Sequence, residues 1–192
     1  YADPRGGETI LPWVRLHATR GYFDMVWALE RYPEMKATFN LVPVLTEQIS
    51  AYLDGARDQY WRLSRKPARL LNTGERRFLI ENFFACSIDS CIRPRARYYR
   101  LHQRAASSQN DPSGFSDGDL RDLQVLFNLS WFGFGARVEY PLIEELEAKG
   151  SGFTEDEKRK LLDIQIAVLR RLFKAYESLE EREQIELTTT PF

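Results

Sequence analysis

The chain has 192 residues, room for one large domain or two small ones, and its 43% hydrophobic content suits a globular core. With 27 basic and 28 acidic residues the net charge is −1, so no field draws it to nucleic acid or to an anionic membrane. No apolar run approaches the length of a membrane span, and no signal peptide is visible.

Residues 1–12 read as a loop, broken by Pro4, Gly6, Gly7 and Pro12. A helix is predicted over 15–31, with Leu16, Phe23, Val26, Trp27 and Leu29 as its apolar stripe and Pro33 ending it. A short strand follows over 37–42. Pro43 then opens a second helix through Leu45, Ile49, Tyr52 and Leu53, stopped near Gly55. From about 57 to 104 the chain reads as successive helices. One of them is expected to hold Cys86 and Cys91 on different faces, which disfavours an intrachain disulfide. Residues 109–114 form a turn. Ser116 with Asp119 caps a helix through Leu120, Leu123, Phe127 and Trp131. Thr154 with Glu157 caps another that runs to about Glu181, with Leu162, Ile166, Leu169, Phe173 and Tyr176 at helical spacing. The last ten residues, 183–192, read as a strand.

On that last strand Ile185 and Leu187 point one way, and Gln184, Glu186, Thr188 and Thr190 the other. The 37–42 strand presents Asn40 in the same manner. Polar side chains on strands set among long helices suggest an α/β, helix-rich barrel with a polar pocket at its strand ends. No comparable strand lies between Val42 and Gln184, so residues 57–182 read as a mainly helical insertion between barrel units at 1–56 and 183–192. Such a fold should continue past Phe192, and the chain is expected to be a piece of an enzyme.

Glu186 is either a pocket carboxylate or an edge-strand group facing water. Asn40 can satisfy a neighbour or hydrogen-bond a ligand hydroxyl. His17 has no Cys, second His or carboxylate at ligand spacing, so it reads as a structural histidine or, less simply, as a pocket group. Arg15, Arg20 and Asp24 read as a solvated helix face. Trp13, Trp131 and Phe132 are either core rings or stacking platforms for sugars, and Trp13 has the better case because it lies in the loop before the first helix. There is no Gly-rich phosphate loop, nucleophile elbow or metal triad, so neither metal nor cofactor is expected. Two unpaired thiols favour a reducing, cytoplasmic location.

Five blocks carry a resemblance: residues 11–25 (LPWVRLHATRGYFDM), 36–43 (KATFNLVP), 115–124 (FSDGDLRDLQ), 127–132 (FNLSWF) and 184–191 (QIELTTTP). Together, and in this order, they resemble the N-terminal part of glycoside hydrolase family 57, most closely its α-amylase and amylopullulanase type. The resemblance implies a fragment of an incomplete (β/α)7 barrel acting with retention on α-glucans such as starch, glycogen or maltooligosaccharides. A 4-α-glucanotransferase of the same family is the alternative, and so is a non-catalytic, helix-rich carbohydrate-binding or interaction module. It further implies that the family's opening His-Gln-Pro block would precede Tyr1, and that the nucleophile Glu and acid Asp would follow Phe192. None of the present residues would then be catalytic. Glu186 matches the glutamate of the family's second conserved block. With Asn40, Trp13, His17 and Trp131 it makes up the expected substrate-binding set. The partners implied are an α-glucan and the remainder of the catalytic domain.

Overall fold

Two parallel strands pair residue for residue at opposite ends of the sequence, Ala37 with Ile185 and Asn40 with Thr188. The computed structural model describes residues 11–190; the expected N-terminal loop lies mostly outside them. In chain order the elements are α1 (Trp13–His17), a π-helical turn (Ala18–Tyr22), α2 (Phe23–Arg31), β1 (Ala37–Asn40), α3 (Pro43–Leu53), α4 (Gln59–Arg65), α5 (Thr73–Asn82) and α6 (Ala96–Ser107). Then come α7 (Asp117–Leu129), α8 (Phe134–Glu139), α9 (Pro141–Lys149), α10 (Glu155–Glu181) and β2 (Ile185–Thr188).

The chain divides into two units. The strand-bearing unit takes the described residues up to Gln59, then Phe132–Tyr140, then everything from Asp163 onward. It therefore includes α8 and most of α10 as well as the expected barrel segments. The strands are shorter than their sequence pattern, four residues each. Their apolar side, Ala37, Phe39, Ile185 and Leu187, is buried or half-buried, and Phe39 meets Tyr176 of α10 edge-on at 5.4 Å. Leu16, Phe23, Val26, Ile49, Leu169 and Leu172 complete this core. Gln184 departs from its expected phase. It is buried just before β2, and its side-chain amide donates to the carbonyls of Leu29 at 2.7 Å and Tyr32 at 3.0 Å. These two carbonyls also accept the backbone N–H groups of Tyr32 and Met35, so the Gln184 amide adds a second bond to each and ties the start of β2 to the end of α2.

The helical unit comprises Tyr60–Trp131 and Pro141–Leu162. Its helices begin where the sequence places caps. Ser116 and Asp119 form a reciprocal capping box, as do Asn72 and Glu75, and Thr154 and Glu157 exchange the same pair of bonds. An aromatic cluster of Tyr60, Phe83 and Phe127 fills its centre, with Phe83 and Phe127 centroids 4.5 Å apart. The buried Lys158 ammonium donates to the Lys66 carbonyl at 2.8 Å and to Gln124 Oε1 at 2.7 Å. Cys86 and Cys91 are not on one regular helix: Cys86 lies in a bend and Cys91 in a π-helical turn, Ile88–Ile92. Both are free thiols, and burial pushes the Cys86 thiol above its ordinary range.

Candidate functional site

Strand parity leaves Thr38, Asn40, Glu186 and Thr188 on the exposed face of the sheet, opposite the core. Asn40 and Glu186 thus share a face on adjacent parallel strands. They do not share a level. Glu186 stands opposite Thr38, whose hydroxyl donates to Glu186 Oε2 at 3.3 Å, whereas Asn40 stands opposite Thr188 at the carboxyl end. Two residues of strand separate the levels by roughly 6–7 Å.

An open cleft of about 560 Å³ runs along the starts of the strands, lined by Lys36, Thr38, Glu180, Glu183 and Glu186 among others. The carboxyl ends of the strands lie at the other end of the sheet. A smaller hollow of about 290 Å³ lies closer to that end. It is lined by Leu11, Trp13, Val14, Val44 and Gln48, the last two in the first turns of the helix that follows β1. Trp13 is half-buried there, and His17, one turn further along, is exposed. The hollow is mostly apolar, with one ring, Trp13, and one amide, Gln48.

Three expectations change. Arg15 is no solvated residue: it is fully buried, with Nε 2.9 Å from Asp58 Oδ2 and Nη1 2.6 Å from Gln165 Oε1. The Tyr52 hydroxyl donates to the same carboxylate at 2.8 Å, and burial, then the Asp58 charge, raises the Tyr52 pKa well above its ordinary value. This network ties α1 to α10 and to the segment after α3. Asp24 is likewise a cap: its two oxygens accept the N–H groups of Phe134 at 3.0 Å and Gly135 at 2.9 Å, at the positive end of α8. Trp131 and Phe132, proposed as platforms, are 9% and 3% exposed, and Trp131 belongs to the helical unit. A ring so enclosed presents no face to a sugar.

Gly135 marks how closely α8 approaches α2. A methyl group there would stand 2.6 Å from Trp27 Cγ. Gly135→Ala is expected to destabilise the chain by about 1–3 kcal/mol through overpacking. A thermal melt at the wild-type temperature would show instead that α8 yields freely.

The model of glycosyl hydrolase family 57 matches residues 1–192, the whole chain. The chain belongs to glycosyl hydrolase family 57. Membership makes it a glycoside hydrolase-type enzyme sequence, with hydrolase or transferase chemistry on α-glucans. No curated protein and no solved structure matches it. Among the described residues no cluster of three or more His, Cys, Asp or Glu could hold a metal ion, and no helix is long and apolar enough to cross a membrane.

Proposed function

We propose that these residues form the substrate-shaping part of a retaining α-glucan glycosidase of the α-amylase and amylopullulanase type, with β1 and β2 as two strands of an incomplete (β/α)7 barrel. Residues 57–182 run between the two strands in the chain, and the insertion proper is the helical unit within them, Tyr60–Trp131 with Pro141–Leu162. The observation that carries the reading is the parallel β1–β2 pair. It is what a barrel requires of strands separated by a long excursion, and it lines up Asn40, Glu186 and two threonines on one polar face.

In a retaining glycosidase two carboxyl groups stand roughly 5–5.5 Å apart across the bond to be cut. On this reading that pair lies on other strands of the barrel. Glu186 supports it by charge and hydrogen bonding, Asn40 binds a sugar hydroxyl, and Trp13 supplies a ring face. His17, exposed one turn past Trp13, completes the proposed set. Trp131 acts only through packing.

The experiment is glucan retention and turnover by the purified 192-residue chain. The chain is expected to be retarded in native gels containing soluble starch, yet to release no reducing sugar above a heat-killed control. Turnover would return the chemistry to carboxylates of this chain, such as Asp24, or Glu8 outside the described residues. Chain-length redistribution of maltoheptaose by the enzyme, without net hydrolysis, would make it a transferase instead.

A further inference from the structure

The run Trp131-Phe132-Gly133-Phe134-Gly135 buries its first two rings and turns out the third. Phe134 is 78% exposed, the highest figure for any large apolar side chain among the described residues. From its level in the fold and its anchorage we infer that Phe134 is an aromatic platform for an α-glucan chain, on which one sugar ring stacks. The inference rests on the glucan-active reading above and deepens it by naming a subsite residue.

The level of Phe134 in the fold follows from α2. Tyr22, which leads into α2, lines one small apolar cavity together with Leu41, the residue just past β1. At the other end of α2, the carbonyls of Leu29 and Tyr32 are held by Gln184, the residue just before β2. So α2 runs antiparallel to the strands, and its first turn stands level with their carboxyl ends. Asp24 lies in that turn and grips the first N–H groups of α8. The start of α8, with Phe134, therefore stands at the level of the strands' carboxyl ends, the level at which barrel enzymes receive substrate.

Its anchorage is that of a built site. The Phe134 N–H is fixed by Asp24, and the Gly133 N–H donates to the Thr19 carbonyl in the π turn at 3.3 Å. Gly133 and Gly135 allow the backbone to press against Asp24 and Trp27. The backbone that carries the ring is thus ordered before a ligand arrives, which removes part of the entropy loss on binding. A protein partner fits the feature less well. Stable interfaces take roughly 800 Å² from each side, and α8 offers only Phe134 and its neighbour one turn on, Val138, 63% exposed. Glucan stacking needs only one open ring face, which Phe134 offers.

The test is affinity electrophoresis of the 192-residue chain in native gels cast with graded glycogen. Phe134→Ala is expected to weaken retention about ten-fold, Phe134→Trp to preserve it, and Val138→Ser to leave it unchanged. Undiminished retention of Phe134→Ala, with the wild type retained, overturns this inference alone. Equal losses from Phe134→Ala and Val138→Ser also overturn it, since they would reveal a general apolar patch. So does a wild-type dimer in light scattering that Phe134→Ala dissolves, which would make the ring a contact between copies. A wild type that is not retained at all removes the glucan-active reading and this platform together, and shows it in the unmutated chain.

Discussion

Asp58→Ala is expected to lower the stability of the chain by about 3–5 kcal/mol, the usual consequence of leaving a buried charge without its partner. Arg15 and Asp58 are both fully buried, and the guanidinium makes two bonds to the carboxylate, at 2.9 and 3.3 Å. Removing the carboxylate strands the arginine with Gln165 as its remaining partner in the network and takes the acceptor from the Tyr52 hydroxyl. Against a typical domain stability of about 5–15 kcal/mol this is a large share. A well-packed apolar pair should do far better than the broken ion pair, so Arg15→Met combined with Asp58→Leu is expected to recover most of the loss. Urea denaturation of the three proteins checks both statements. A single mutant within about 1 kcal/mol of the wild type would mean that water reaches the guanidinium. The effect bears on function too, because the network fixes α1, with Trp13 and Val14, against the α3 wall of Val44 and Gln48.

Glu186→Gln is expected to lower kcat/KM on a maltooligosaccharide by roughly 10²-fold, or about 2.7 kcal/mol of transition-state stabilisation. The measurement belongs to the enzyme that carries the full catalytic pair. The amide keeps the shape, and one oxygen remains to accept the Thr38 hydroxyl, but the charge is gone. Because Glu186 lies on the exposed face, stability should change by less than about 0.5 kcal/mol. Wild-type kinetics with a wild-type melt would make Glu186 a solvated strand carboxylate. A collapsed melt would make it a structural ion-pair partner.

What could be read in advance divides by range. Pro43 opening α3, Gly55 with φ of 106° after it, and the caps at Ser116 and Thr154 are settled by neighbours within four residues, and the sequence displays them. The pairing of β1 with β2 was legible in kind, since both segments alternate apolar and polar residues. Their true length was not. Long-range partners leave no local trace: Arg15 meets a carboxylate 43 positions away, and Asp24 caps a helix 110 positions away. Arg15 did carry one signal, a cation flanked by Trp13, Val14 and Leu16. Which ring of Trp131, Phe132 and Phe134 would face solvent depended on where α8 begins, and Asp24 decides that.

The π turn at Ala18–Tyr22 has a rotational consequence. Successive residues of an α-helix advance by about 100° around its axis, and a π turn accommodates one residue more than an α turn. Everything before it is thereby dialled round by about that angle relative to Phe23, Val26 and Leu29. Deleting one residue between Ala18 and Tyr22 would let the α-helix close. Those three core side chains would stay seated, but Trp13 would swing off the α3 wall, Leu16 out of the core and Arg15 away from Asp58. The count of residues in that single turn thus decides whether Arg15 meets its carboxylate.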